Sequence, residues 1–169
     1  MDSPKRSMAP AGAPRPVLLI LGSLPGEASL KAQRYYAHPQ NQFWRLLGSA
    51  LGEPLGELAY QERLATLAAR QVGLWDVVGE AKRIGSLDGA LRGVTANPLA
   101  AFIAGQPQLG AIAFNGQTAA RIGRRVLGDC DLALIDLPSS SPAYTLPLTA
   151  KAARWSVLAN FAQPATLAL

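Results

Sequence analysis

Four short apolar runs are spaced along the chain, each rich in valine, isoleucine and leucine and with few polar interruptions. They lie at residues 16–23 (PVLLILGS), 72–78 (VGLWDVV), 109–116 (LGAIAFNG) and 132–139 (LALIDLPS). Such nearly continuous runs are typical of strands that are covered on both faces of a sheet. The pattern therefore predicts four buried strands.

Segments with a helical spacing of apolar residues separate these runs. They lie at residues 41–52, 59–70, 97–105, 116–128 and 149–162. Strands that alternate with helices favour right-handed crossovers and a parallel sheet. The expected fold is α/β, a three-layer α/β/α sandwich with a small, four-stranded, mainly parallel sheet.

The length of 169 residues fits one domain with a substantial core. Residues 1–15 are rich in proline, alanine and serine and lack the apolar stretch of a secretory signal, so we expect a flexible tail there and a single domain over residues 16–169. No apolar run reaches the roughly 18 residues that a membrane helix needs.

The one cysteine, Cys130, suits a cytoplasmic protein, and one cysteine with one histidine makes a protein-bound metal unexpected. We also expect no cofactor and no membrane partner, and we expect a monomer.

The formal net charge is +5 and the isoelectric point is about 9.8. A moderate basic excess favours a polyanionic partner such as DNA, and solubility alone explains it equally well. Charge therefore does not decide the function.

The carboxyl ends of the four predicted strands carry polar or loop-forming residues, and in open α/β sheets ligands bind beyond these ends. The ends are GSLPG at 22–26, Asp76, Asn115, and LPSSSPAY at 137–144. The serines between two prolines offer hydroxyl and N–H donors to phosphate oxygens, although a solvated turn has the same composition. Residues 22–26 lack the lysine and spacing of a phosphate-binding loop, and a plain turn is the simpler interpretation of that segment taken alone.

Four aromatic residues, the single histidine and one asparagine lie together in YYAHPQNQFW at 35–44. Flat rings beside a polar cleft of a basic protein favour base stacking, although Phe43 and Trp44 also begin a helix and at least one is expected in the core. His38 is more often structural than catalytic in such a setting. Asn41 is uncharged and can only position water or exchange hydrogen bonds.

These motifs in this order resemble the uracil-DNA glycosylase superfamily, over roughly residues 16–160. The mismatch-specific branch has a GxNPG loop followed by AHPxNRFW. The hypoxanthine-DNA glycosylase branch matches better, with GSxPG, SLxxxxYYAHPxNxFW, LWDV, GSLD and LPSTSPA; the matching segments here are 22–26, 29–44, 74–77, 85–88 and 137–143. In that branch the catalytic amide is the one in HPxNxFW, which corresponds to Asn41.

Three positions depart from patterns of the superfamily. Leu24 stands where the mismatch-specific branch has its catalytic asparagine, and Leu137 stands where other branches have histidine or asparagine before the last loop. Tyr144 replaces the asparagine that usually follows SPA.

The resemblance implies a monofunctional DNA glycosylase that extrudes a deaminated base and hydrolyses its glycosidic bond, with hypoxanthine the best guess. Asn41 would be catalytic, and Asp76, Asn115 and loop backbone groups are candidates to recognise the edge of the base. The alternatives are a uracil-DNA glycosylase acting on U:G mismatches or single strands, and a non-catalytic nucleic-acid-binding relative. The expected base pocket is Gly22, Ser23, Leu24, Pro25, Gly26, Tyr36, His38, Phe43, Asp76 and Asn115, and the expected DNA contacts are Ser139, Ser140, Ser141, Pro142, Ala143, Tyr144 and Lys151.

Overall fold

The structure, a computed structural model, describes residues 3–165. Its strands are β1 (Lys5–Arg6), β2 (Ala11–Gly12), β3 (Leu18–Gly22), β4 (Val72–Asp76), β5 (Val78–Lys82), β6 (Arg92–Ala96), β7 (Ala111–Asn115) and β8 (Ala133–Leu137). Its α-helices are α1 (Glu27–Ala32), α2 (Phe43–Leu51), α3 (Tyr60–Ala69), α4 (Leu99–Ala104), α5 (Gln117–Leu127) and α6 (Leu148–Trp155), with short 3-10 helices at Leu55–Glu57, Asp88–Ala90 and Ser156–Asn160.

The central sheet has the strand order β2-β4-β3-β7-β8. The four strands expected from the apolar runs are β3, β4, β7 and β8, and they pair in parallel; the α/β fold and the mainly parallel sheet are thereby confirmed. The expected strand number was wrong, because β2 pairs antiparallel with β4 and makes a fifth strand. A strand of two residues is too short to show an apolar period, so the sequence pattern could not predict it.

A second, antiparallel sheet has the order β1-β5-β6. Both β1 and β2 lie in the segment where we expected a flexible tail, and that expectation is corrected for the residues that pair there. Lys5 lies opposite Ala81 on β5, and Ala11 lies opposite Leu74 on β4. The segment between these two strands therefore runs across the end of β4, next to the carboxyl ends of the parallel strands.

The core is built on the three inner strands, β3, β4 and β7, all of whose residues are buried. Helix α5 packs against β3, β7 and β8, while α3 packs against β2 and β4, and α2 packs against α6. Gly123 lets α5 approach closely, since a Cβ there would overlap the ring of Phe114. No helix within residues 3–165 is long and apolar enough to cross a membrane.

Candidate active site

A cavity of about 500 Å³ opens beyond the carboxyl ends of the four parallel strands. Strands β3, β4 and β7 bring Gly22, Asp76 and Asn115 to its wall, and the loop that follows β8, other loops and the aromatic segment complete it. The lining residues are Gly22, Ser23, Leu24, Pro25, Gly26, Ala28, Ser29, Tyr35, Tyr36, His38, Gln40, Asn41, Asp76, Ser86, Leu87, Asp88, Asn115, Ser139, Ser140, Ser141, Pro142, Ala143 and Tyr144. The structure therefore brings together nearly every residue that we expected in the base pocket or at the DNA.

Asn41 lies two residues before the start of α2, with its carboxamide at the cavity. Its Oδ1 accepts one hydrogen bond from the backbone N–H of Phe43 at 2.9 Å and another from the hydroxyl of Ser140 at 2.8 Å. Because a backbone N–H can only donate, the atom that faces it is the amide oxygen. Both lone pairs of that oxygen are in use, and the group that Asn41 can still offer is its NH₂ donor.

Ser140 joins Asn41 to the end of β7. Its N–H donates to Oδ1 of Asn115 at 2.9 Å, and its hydroxyl accepts from Nδ2 of Asn115 at 2.9 Å. Ser140 and Asn115 are both buried, with 1% and 9% of their surface exposed. This mutual pair orients the Ser140 hydroxyl towards Asn41. Both residues also line the cavity, so the expected contacts of Asn115 with the base edge and of Ser140 with a phosphate stay predictions.

Tyr36 turns the aromatic segment into the cavity with a left-handed backbone, φ 54°, which is costly for a bulky residue and often marks a functional site. Its ring stacks on that of Phe43, with centroids 3.7 Å apart and planes 9° from parallel. Phe43 itself is fully buried and does not line the cavity, so its expected place in the base pocket is corrected to a supporting one behind Tyr36.

The hydroxyl of Tyr36 is buried and has no hydrogen-bond partner within residues 3–165. Burial raises the pKa of this phenol, the neighbouring Asp76 carboxyl raises it further, and the nearby amide of Asn115 opposes the rise. The hydroxyl is therefore protonated at the pH values at which enzymes work, and it is a hydrogen-bond donor without an acceptor among residues 3–165.

Asp76 ends β4 at the inner wall of the cavity, with 3% of its surface exposed. Its Oδ2 accepts a hydrogen bond from the hydroxyl of Ser7 at 3.0 Å. Burial raises the pKa of this carboxyl to about 7; the Ser7 hydrogen bond opposes the rise, Asp88 adds to it and Arg83 opposes it. Gly22 lies directly opposite on β3 and leaves space for the Asp76 carboxyl and the Tyr36 hydroxyl. A Cβ at this position would lie 2.8 Å from Oδ1 of Asp76 and 3.0 Å from the Tyr36 hydroxyl.

His38 lies at the exposed rim of the cavity. Its Nδ1 accepts the N–H of Gln40 at 3.1 Å, and its carbonyl accepts the N–H of Asn41 at 3.0 Å. These bonds form the turn that carries Asn41 into place. The contacts of His38 thus support the structural interpretation of this residue.

Comparison with known proteins agrees with this geometry. The family model of the uracil DNA glycosylase superfamily matches residues 9–161. The chain belongs to that superfamily. The family that the motifs resemble is thereby confirmed.

Two curated relatives within the superfamily are named hypoxanthine DNA glycosylase. The protein of Methanosarcina barkeri is 44% identical over 100 residues, which are 59% of this chain and 63% of the relative. The protein of Methanosarcina acetivorans is 43% identical over 102 residues, 60% of this chain and 65% of the relative. The matches thus span less than two thirds of the length of these relatives.

A solution NMR structure from Methanosarcina acetivorans, of a protein provisionally named uracil DNA glycosylase, has the same fold. It is 34% identical to this chain, with a TM-score of 0.82, and the similarity covers 94% of this chain and 99% of that one. The similarity therefore extends over nearly the whole length of both chains.

Two of the three positions at which this chain departs from other branches are buried leucines. Leu24 and Leu137 are both buried, with 5% and 4% of their surface exposed, and neither offers a catalytic group. Tyr144 is 44% exposed and stands at the rim of the cavity.

Lys151 lies in a different place from the exposed phosphate contact that we expected. Its side chain is fully buried on α6, and Nζ donates to Oε1 of Gln42 at 2.9 Å and to the carbonyl of Ser141 at 3.1 Å. Burial lowers the pKa of this ammonium. Lys151 therefore supports the serine loop, residues 139–144, from behind.

Sequence reasoning missed Arg83, which holds the loop at residues 22–26 in shape. Its guanidinium is buried and donates to the carbonyls of Leu24, Pro25 and Gly85, and it lies 3.8 Å from Asp88. Asp88 in turn accepts from the hydroxyl of Ser23 at 2.6 Å. The only sign in the sequence is that Arg83 lies just before the GSLD motif, and nothing there distinguishes it from a surface charge.

A second cavity, of about 570 Å³, continues from the first and shares Asp88, Ser139 and Tyr144 with it. Its other walls come mainly from α5 and from the end of β8, with one residue from α6, and they carry Arg121, Arg124 and Arg154. Arg124 is paired with Asp136 at 3.0 Å. This basic groove lies next to the serine loop.

Proposed function

We propose that this protein is a monofunctional DNA glycosylase of base excision repair, which extrudes a deaminated base and removes it by hydrolysis, with hypoxanthine from deoxyinosine as its substrate. The observation that carries the proposal is the oriented amide of Asn41 in a cavity whose inner wall presents Asp76 and Tyr36. The names of the two curated relatives support the choice of base.

The bond to be broken joins C1′ of the sugar to the base. A base within a duplex is out of reach, so the nucleotide must first be extruded into the cavity, whose wall includes Tyr36. Breakage leaves a cationic sugar and an anionic base, and hydrogen-bond donors in the cavity stabilise that anion. Water then adds to C1′, and the proton it loses neutralises the base anion, which leaves an abasic site and the free base.

Asn41 serves this reaction as a positioning donor. Because Oδ1 is occupied by Phe43 and Ser140, the amide holds water through its NH₂ group, leaving a second lone pair of the water free to attack C1′. A neutral donor suffices where the bond to the base is largely broken before water arrives.

The proposed activity is monofunctional, because strand cleavage by a lyase needs an amine that forms a Schiff base with the sugar. No lysine is among the residues of the described part of the chain that line the cavity. One chain supplies every group that the proposal uses, and the proposed enzyme acts as a monomer.

Uracil is the second candidate substrate. The NMR structure that shares the fold is provisionally named uracil DNA glycosylase, and it is similar to this chain over nearly its whole length. Uracil presents an N–H donor beside a carbonyl acceptor, as hypoxanthine does, so the same polar groups would accept both bases.

The test is a panel of duplexes that differ at one position, carrying deoxyinosine, deoxyuridine, a T:G mismatch or deoxyxanthosine. We expect abasic sites to form fastest from deoxyinosine, with strand breaks appearing only after alkali. Breaks without alkali would indicate a lyase. Binding to these duplexes without release of any base would identify a non-catalytic relative and overturn the proposal.

A further inference from the structure

Two polar groups at the inner wall of the cavity have unused hydrogen-bonding capacity. Oδ1 of Asp76 receives no hydrogen bond from residues 3–165, since the one bond to this carboxyl goes to Oδ2. The Tyr36 hydroxyl is buried and unpartnered within the same part of the chain. Both lie beside Gly22, and a side chain at that position would collide with them.

A buried polar group without a partner is costly, and such groups in a binding site indicate where a ligand supplies the missing bond. Here one group is an acceptor when ionised, and the other is a donor whose ring is fixed by its stack on Phe43. The matching ligand presents an N–H donor next to a carbonyl oxygen.

We infer that Asp76 and Tyr36 together recognise the edge of the extruded base, and that Ser7 is a positioning residue which holds Asp76 for this task. The inference rests on the proposed function and assigns its specificity. Oδ1 of Asp76 accepts from N1–H of hypoxanthine, and the Tyr36 hydroxyl donates to O6.

The same pair rejects adenine, which has an acceptor at N1 and an amino donor at the neighbouring position. A site built to pair with a polar edge discriminates strongly against a base whose edge leaves its buried groups unpaired. Guanine has the same N–H and carbonyl as hypoxanthine, so its exclusion depends on the space around its 2-amino group and not on this pair.

Ser7 lies on the segment between β1 and β2, and that segment is anchored at two further points. The hydroxyl of Tyr35 donates to the carbonyl of Ala9 at 2.9 Å, and Nε1 of Trp75 donates to the carbonyl of Met8 at 3.0 Å. These bonds keep the Ser7 hydroxyl at Oδ2, which leaves Oδ1 for the base.

The charge of Asp76 decides whether it accepts or donates. Ser7, Tyr35 and Tyr36 surround the carboxyl, with Arg83 and Asp88 as the charged groups of the neighbouring loop. Since its pKa is raised to about 7, the accepting carboxylate forms as the pH rises through that value. Below it the protonated carboxyl can donate to N1 of adenine, so discrimination between the two bases should weaken in acid.

The experiment measures binding to duplexes that carry either a hydrolysis-resistant 2′-fluoro deoxyinosine or deoxyadenosine at one position, from pH 5.5 to 9. For the unchanged protein we expect the preference for inosine to rise through about pH 7. Asp76→Asn should weaken inosine binding about ten- to a hundredfold, as expected for losing a hydrogen bond to a charged group, and should abolish the pH dependence.

Ser7→Ala should move the midpoint to higher pH, because the lost hydrogen bond favoured the carboxylate, and Ser7→Thr should restore it. Ser156→Ala, on an exposed serine outside the cavity, is the control and should leave the midpoint in place. A purely structural role for Ser7 would lower stability without moving the midpoint.

Folding of the Asp76 variant is checked by thermal unfolding at pH 8. A carboxyl whose pKa is raised in the folded state costs stability once ionised, so Asp76→Asn should melt no lower than the unchanged protein. Unaltered inosine preference and pH dependence in Asp76→Asn would overturn the inference, and an unmoved midpoint in Ser7→Ala would overturn the role of Ser7.

Release of base from ordinary deoxyinosine is measured in parallel. If the unchanged protein releases none, the proposed function fails, while the binding data still decide whether Asp76 and Tyr36 recognise the base. If it releases hypoxanthine but shows no preference for inosine over adenosine at pH 8, the proposed function stands and the present inference falls.

Discussion

The carboxamide of Asn41 has one hydrogen-bonding group to spare, and that group is a donor. Its direction is fixed by neighbours on two separate elements, the backbone of Phe43 and the hydroxyl of Ser140. The resemblance implied that Asn41 is the catalytic amide, and it did not show how that amide is held. Ser140 and Asn115 are distant from Asn41 along the chain, and only folding brings the three together.

Ser140→Ala removes one of the two bonds that orient Asn41 and leaves Nδ2 of Asn115 without its acceptor. We expect the single-turnover rate to fall about tenfold or more, and the free energy of unfolding to fall by about 1–3 kcal/mol, as for other buried groups that lose a partner. Ser139→Ala, in the same loop, is the control and should change both much less. Equal effects of the two variants would argue against the role given to Ser140.

Tyr36→Ala removes the hydroxyl that we propose donates to the edge of the extruded base. We expect capture of the base to weaken by about 1–3 kcal/mol, as for a buried group that loses a hydrogen-bond partner. Binding to an inosine duplex, compared with an undamaged duplex, measures it. Loss of affinity for both duplexes alike would show that Tyr36 acts on DNA generally and not on the base.

At the level of the elements, the sequence predicted the strands that are buried, because burial requires their residues to be apolar. The strands β3, β4 and β7 are buried on both faces, and their apolar runs were sufficient to identify them. The second sheet was not predicted, because β6 is largely exposed and β1 has only two residues. The part of the site that depends on this sheet, Ser7 and Arg83, was missed for the same reason.

Arg83→Met tests whether the loop after β5 supports the cavity. The variant leaves the carbonyls of Leu24 and Pro25 without their donor, and we expect the free energy of unfolding to fall by about 1–3 kcal/mol. Urea unfolding measures it, with Lys82→Met on the exposed neighbouring residue as the control. No difference between the two variants would show that the buried guanidinium does not hold the loop.

On the scale of the whole molecule, part of the positive charge behind the net value of +5 lies in one groove. The basic groove beside the serine loop carries Arg121 and Arg154, both exposed, next to the cavity. A strand that delivers its base to the cavity can follow this groove, and the arginines would then replace counterions that are condensed on its phosphates. Composition alone allowed DNA binding and plain solubility equally, and the groove favours the first.

DNA affinity should accordingly fall steeply with salt. Arg121→Gln should reduce the slope of log affinity against log salt by about one, the effect of losing one phosphate contact. Arg124→Gln is the matched comparison and should change the slope less, because Arg124 is paired with Asp136. An affinity that stays constant as salt rises would remove the argument from charge.

The central claim is that Asn41 drives removal of a base from DNA, and the single-turnover rate of Asn41→Ala on a deoxyinosine duplex tests it most directly. We predict that the rate falls by roughly two to four decades, the range for losing one positioned catalytic group, while affinity for the duplex changes little. Gln40→Ala, on the exposed neighbour at the rim, should retain the rate. A near-normal rate for Asn41→Ala would contradict the account.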